Sequence, residues 1–410
     1  MGDKLEKVKR GGFLRGMLDG WRSSVGSQGG SPSHSTAGQS FSGSRGEGEI
    51  DERLRPSNFD VLQISKHGYP HQPTAIAFDP VQRLIAIGNK TGSLRILGRP
   101  GVDCHVQHLP RSAVIQLIFI RNEGMLISIC ADDSIHLWNI KQKEPGIVQS
   151  LKFQRERITQ CHMPFQSKWL YIGTERGNVH VVNMDTFMLS GYVINWNKAI
   201  ELSCKTHPGA IIHLSDCPCD PNKMLIGYEC GTLVLWDLRS RAPDTRIKYP
   251  VSLKSVSWHH EGRQFLCSHG DGSLSTWNVK ATRPVSVVYP HAKGSEEGSK
   301  TEACKPMFKV EWRTVRNGDS FIIFSGGLPY SKSSGTPSEP GVKPPAKPSS
   351  ATQSLTIIQG KTTTVLEMEH TILDFITLNE NPYDSDFNDP YAVVVLLQND
   401  LVVVDLTSSG

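Results

Sequence analysis

The sequence predicts an all-β fold, a repeated antiparallel meander that closes into a WD40-type propeller of seven blades. Three observations predict it. The first is a recurring unit: a small residue makes a turn, a short strand alternates, and Trp-Asp or Trp-Asn ends it. It reads GTLVLWD at 231–237, SIHLWN at 134–139 and GSLSTWN at 272–278, with weaker copies GSLRIL at 92–97, GNVHVVN at 177–183, QSLTII at 353–358 and NDLVVVD at 399–405. Their strand ends at Leu97, Trp138, Val182, Trp236 and Trp277 recur at intervals of about 41–54 residues, the period of a propeller blade. The second observation is an alternating strand upstream of each unit: TAIAF at 74–78, VIQLIF at 114–119, ITQCH at 158–162, AIIHL at 210–214, KSVSW at 254–258, FKVEW at 308–312 and ILDFI at 372–376. Period-2 alternation bounded by Asp, Pro and Gly marks half-buried strands. The third is a fixed offset of about 19 residues between these landmarks, from Phe78 to Leu97, Phe119 to Trp138 and Trp258 to Trp277. Between them runs another strand, as in RLIAIG at 83–88 and MLISIC at 125–130.

Taken in order, residues 1–22 form a basic arm. Lys4, Lys7, Lys9, Arg10, Arg15 and Arg22 alternate with Phe13, Leu14, Met17, Leu18 and Trp21. Helical spacing at 14, 17, 18 and 21 gives an amphipathic turn in which Lys7, Lys9, Arg10 and Trp21 would contact an anionic membrane. The competing reading is a plain tail, because Gly11, Gly12, Gly16 and Gly20 oppose a helix. Glu6 stands where a myristoylation signal needs Ser or Thr. Residues 23–58 read as a disordered Gly/Ser-rich linker. The propeller occupies 59–406, with disordered insertions near 291–304 and 331–352 that lengthen one repeat. The second insertion holds a PxxP at Pro345–Pro348, read as a surface loop and not as a docking motif. The seventh blade is the least regular, since the last two repeats lack Trp.

Composition narrows the function. The chain has 410 residues, 38% of them hydrophobic, with 44 basic against 40 acidic residues and a net charge of +4. That balance argues against nucleic acid as a partner. Nine scattered cysteines without a signal peptide read as reduced cytosolic thiols. No apolar run is long enough to span a membrane. No phosphate loop, His-Glu-x-x-His or nucleophile elbow occurs, so no catalytic or cofactor residues are assigned and the chain reads as a non-enzyme. Cys217 and Cys219 lie near His207 and His213, but the spacing is not that of a structural zinc site, so no metal is assigned. Trp138, Asn139, Trp236, Asp237, Trp277 and Asn278 read as structural blade residues, an indole filling inter-blade space and a polar residue closing the turn. Asp133 and Asp271 read as turn acids, not a catalytic pair.

Some segments carry more than a generic blade requires. These are PFQSKWLYIGTERGNVH at 164–180, LSGYVINWNKAIE at 189–201, AFDPV at 77–81, RPGV at 99–102, WHHEG at 258–262, AVVVLL at 392–397 and, in the arm, LDG at 18–20. With them the chain resembles the tomosyn branch, the syntaxin-binding branch of the lethal giant larvae family, over nearly all of 60–406. The resemblance implies a regulator of vesicle exocytosis and SNARE assembly, cytoplasmic and peripheral to the plasma membrane or vesicles. The implied partners are syntaxin-type SNARE proteins, a Rab-type GTPase or myosin II. The alternative is a cell-polarity or cytoskeletal scaffold binding myosin II or a small GTPase. A WD40 receptor in RNA or ubiquitin pathways fits the 164–201 segment less well. The resemblance also implies a second propeller and a SNARE-like coiled coil, whereas this sequence stops at Gly410 with no heptad run. It therefore reads as a fragment, a short isoform or a partial gene model. Beside the resemblance, the insertion near 331–352 also looks longer than the family's.

Overall fold

Alternating inner strands must bury one edge against a neighbour, and seven of them do so in a ring. The structure, a computed structural model, describes residues 68–99, 101–142, 144–200, 206–292, 302–330 and 353–407. The arm at 1–22, the linker at 23–58 and the 331–352 insertion lie outside the described residues, as does 293–301 of the other insertion. Among the described residues there are seven antiparallel sheets, six of four strands and one of three, each in simple sequential order. They span 73–107, 114–152, 158–194, 211–248, 253–288, 307–367 and 372–405. This is a seven-bladed propeller, as the repeats predict.

The first blade shows how each is built. Strand Pro73–Asp79 lies innermost, followed outward by Leu84–Asn89, Ser93–Leu97 and Asp103–Gln107. Middle strands are buried on both faces between neighbouring blades, which is why Ala392–Leu397 is an unbroken apolar run with every residue buried. Outermost strands such as Gly146–Lys152 and Ser286–Val288 have almost no buried residues and so lack a readable pattern. The sixth blade carries the long insertion between its strands Phe321–Gly326 and Ser354–Gln359. A helix, Trp196–Ile200, joins the third blade to the fourth and buries Ala199 and Ile200 in their shared core.

The ring closes between the last blade and the first. Ile76, Ile85 and Ile87 share one apolar cluster with Leu378, Ala392 and Val394. Tyr69 donates to the Leu397 carbonyl at 3.2 Å. Closure leaves no blade face in water, which an open array would expose.

Candidate functional site

The innermost strands line a central channel, and a repeated irregularity decides what faces it. In all seven blades the pairing slips near the start of that strand, between Pro73 and Ala75, Val114 and Gln116, Ile158 and Gln160, Ile211 and His213, Leu253 and Ser255, Met307 and Lys309, and Ile372 and Asp374. A β-bulge adds a residue and re-aims side chains. Consecutive residues such as Ile115 and Gln116, Phe308 and Lys309, or Leu373 and Asp374 therefore all border the channel, whose volume is about 760 Å³.

Side-chain hydrogen bonds tie these strands together around the channel. Thr74 donates to the Val114 carbonyl at 2.5 Å, Gln116 to the Cys161 carbonyl at 2.7 Å, and Thr159 to the Ile211 carbonyl at 2.7 Å. Trp258 then donates to Ser215 at 2.9 Å, and the Trp312 amide donates to Ser257 at 2.8 Å. Between the sixth and seventh blades the link is ionic. Lys309 Nζ lies 2.8 Å from Asp374 and 3.5 Å from Glu311. Glu311 also accepts from Arg313 at 3.0 Å and from the Thr377 hydroxyl at 2.7 Å. Burial alone would raise the pKa of Glu311, but Arg313, Lys309 and Thr377 outweigh it and hold it at about 2. His213, in the fourth blade, is driven down to about 3, chiefly by burial and further by the neighbouring His162 and Lys309. It stays neutral at ordinary pH.

One end of the channel is crossed by a strap. The 379–391 connection of the last blade carries Glu380, Asp384, Asp386 and Asp389 and no Lys or Arg. Glu380 pairs with Arg83, and Arg121 donates to the Pro382 carbonyl and pairs with Asp384 at 3.1 Å. Tyr383 meets Phe165 edge-on at 5.2 Å between centroids, and Phe387 lies against His260 at 4.4 Å. The Asn388 amide donates to the Thr314 carbonyl at 2.9 Å, and Arg316 pairs with Asp386 and Asp389 at 3.5 and 3.4 Å. These partners sit on the first-to-second-strand turns of blades 1, 2, 3, 5 and 6. A segment that touches turns all round the ring passes over the end of the channel. At the opposite end the bulged residues Ile115, Phe308 and Leu373 remain 40, 45 and 42% exposed, beside Lys254. That end presents apolar surface, which marks an interaction site more often than a catalytic one.

The blade residues singled out in the sequence lie away from the channel. Trp138, Trp236 and Trp277 are buried between sheets at 3, 1 and 0% exposure. Trp138 donates to Ser128 at 2.9 Å, Ser128 to His108 Nε2 at 2.7 Å, and His108 Nδ1 to the Gly92 carbonyl at 2.6 Å. This relay uses both nitrogens of His108. It accounts for a cluster in which His108, Cys130 and His136 bring potential ligand atoms within 4.8 Å of one another. Trp277 donates to Ser275 at 2.7 Å, and Trp236 to the Tyr192 hydroxyl of the preceding blade at 2.8 Å. Asp237 accepts the Arg239 and Ser240 amides, Asn139 accepts the Lys141 amide, and Asn278 accepts from Gln264. Asp271 caps its turn by accepting the Ser273 amide at 3.0 Å. Asp133 does not play the same part. It takes the left-handed position of its turn, φ 63°, as Gly272 does in its own with φ 81°, and Asp132 is the acid that accepts from Ser134. Asp133 instead accepts the Ile158 amide at 2.9 Å.

The histidines near Cys217 and Cys219 diverge. His213 bonds Ser215 in the channel, and His207 bonds the Arg176 carbonyl. The functional features missed in the sequence are the strap and the Lys309–Glu311–Asp374 cluster. A two-residue alternation, Lys309 then Glu311 then Arg313 on an inner strand, was the available signal.

Comparison with known proteins now adds to the geometry. A family model described as LLGL2 matches residues 287–339 and 342–410. LLGL scribble cell polarity complex component 2 of Mus musculus is 29% identical over 380 residues, 88% of this chain and 35% of the relative. Lethal(2) giant larvae protein homolog 1 of Homo sapiens is 29% identical over 387 residues, 88% of this chain and 34% of the relative. Both comparisons point to the lethal giant larvae family. The chain spans about a third of the length of the curated relatives it matches. The relatives are lethal giant larvae proteins, some named for a cell polarity complex and none for exocytosis, which overturns the expectation of exocytosis and of syntaxin-type SNARE partners drawn from the tomosyn-like segments. Those segments lie largely in the third blade and the helix after it, where they form strands and a short helix. Among the described residues no helix is long and apolar enough to cross a membrane.

Proposed function

We propose that this propeller is a non-catalytic scaffold of cell polarity and the cortical cytoskeleton, binding polarity-complex proteins and myosin II. The observation that carries the reading is similarity over 88% of the chain to relatives of the lethal giant larvae type, one of which is named for a cell polarity complex. Charge and surface agree with it. The strapped end offers acidic residues and arginines, and the open end offers Ile115, Phe308 and Leu373 beside Lys254. The narrower likeness to the tomosyn branch rests on 164–180 and 189–201 and is kept as a likeness of sequence alone. The domain reading remains an arm at 1–22, a linker at 23–58 and the propeller at 59–406. In it Lys7, Lys9, Arg10 and Trp21 lend peripheral contact with anionic membrane.

The test is affinity capture of purified myosin II filaments and of reconstituted polarity complex by the full chain. Phe308→Asp with Leu373→Asp should lower capture at least tenfold while the melting temperature stays within a few degrees. Capture equal to that of an unrelated propeller would overturn the scaffold reading. In a separate arm, reversing Lys7, Lys9 and Arg10 should remove sedimentation with anionic liposomes at about 50 mM salt, where screening is weak.

A further inference from the structure

The first-to-second-strand turn of the fourth blade is Cys217, Pro218 and Cys219, closed by pairing of Cys217 with Asp220. The two Sγ atoms are 3.3 Å apart. Each also lies 3.6 Å from the Gly262 carbonyl oxygen, so both thiols donate to one acceptor on the next blade. Gly262 adopts φ 65°, and a Cβ built there would come within 2.7 Å of Cys219 Sγ. The turn is thus wedged against the fifth blade, and packing from outside keeps the sulfurs together. Cys217 is buried and Cys219 is exposed. A disulfide measures about 2.05 Å between sulfurs, so closure asks for an approach of little more than an ångström.

We propose that Cys217 and Cys219 form a reversible dithiol–disulfide site, oxidised by small-molecule disulfides of the glutathione class. The exposed Cys219 loses its proton to solvent and its thiolate attacks one sulfur of the small disulfide. A protein–small-molecule disulfide forms and one small thiolate leaves. That thiolate takes the proton of Cys217, whose sulfur then attacks the sulfur of Cys219 and expels the second small thiolate, which is protonated by solvent. Two protein thiols are oxidised and one small disulfide is reduced to two thiols. The order follows from access: the exposed Cys219 meets the small disulfide first, and Cys217 is buried, which raises its pKa, so it acts second. Oxidation withdraws both S–H donors from the Gly262 carbonyl. Gly262 shares its turn with His260, which packs on Phe387 of the strap, so redox state is communicated to the strapped end of the channel.

Among the described residues Cys230 is the other exposed cysteine, and its thiol donates to Thr232 with no second thiol beside it. It serves as an internal control. The full chain is treated with oxidised glutathione and mapped by peptide mass spectrometry. The peptide holding Cys217 and Cys219 should be two hydrogens lighter and free of adduct, while the Cys230 peptide carries glutathione. In Cys217→Ser the adduct should persist on Cys219. An adduct that persists on wild-type Cys219, or a 217–219 peptide that stays reduced while Cys230 is modified, would overturn the proposal. If the variant does not fold, differential alkylation of the wild-type chain separates the same outcomes.

Discussion

Trp236 shows how one side chain serves both packing and polarity. Its ring is 1% exposed within the core shared by the third and fourth blades, and its N–H needs a partner there. Tyr192 supplies it at 2.8 Å, and Lys198 lies 5.7 Å from the ring centroid. Trp236→Ala should therefore cost about 3–5 kcal/mol, the range for emptying a large buried aromatic site. Tyr192→Phe should cost about 1–3 kcal/mol, because it leaves the indole N–H unpaired. Urea denaturation of both variants checks this. A Trp236→Ala midpoint equal to that of an exposed control such as Trp169→Ala would mean the site is not core. The indole itself was legible from its place at the strand end. Tyr192 was not, because it belongs to an outer strand of the preceding blade and is joined to Trp236 only by the stacking of sheets.

At the scale of elements, legibility follows burial. Inner and middle strands bury one or both faces, so VIQLIF and MLISIC announce themselves. Outer strands pair on one side only and meet water, so GIVQSLK and SVV carry no compulsory pattern. The strap was illegible for another reason. Asn, Asp and Pro in 379–391 state turn chemistry, and nothing local says that the turn reaches five other blades. Its hold depends on Arg121, which grips Pro382 and Asp384 and covers the Phe165 ring at 5.4 Å. Exposed ion pairs contribute about 0–1 kcal/mol each, so Arg121→Ala should leave the global melt nearly unchanged. It should instead speed hydrogen exchange across 379–391, with the adjoining strand Ala392–Leu397 as protected as before. Unaltered exchange in the strap would show that other contacts hold it without Arg121.

For the whole molecule, buried histidines predict how stability depends on pH. Burial lowers the pKa of His108, His136, His180, His213, His269 and His291 from the ordinary 6.5. His269 falls to about 4, with burial the main cause and Asp271 opposing it, and His213 falls to about 3. Unfolding returns such groups to water, where they bind protons below about pH 6.5. Between that pH and the folded values the unfolded chain holds more protons, so stability must fall as pH falls. Each proton taken up contributes a slope of up to about 1.4 kcal/mol per pH unit, so His213 and His269 together approach twice that between about pH 6 and 4. Glu311 adds a later loss. Its folded value of about 2 lies below the ordinary 4.5, so its stabilisation is complete above about pH 4.5 and disappears as pH drops toward 2. Because these groups are spread around a closed ring, the loss should appear as one cooperative transition moving to lower temperature. Melting followed from pH 8 to pH 4 should be flat above pH 7 and then decline steeply, and His269→Gln should make the decline shallower by roughly one proton's slope. A melting temperature constant from pH 7 to pH 5 would show that these rings are protonated in the folded state, contrary to their burial.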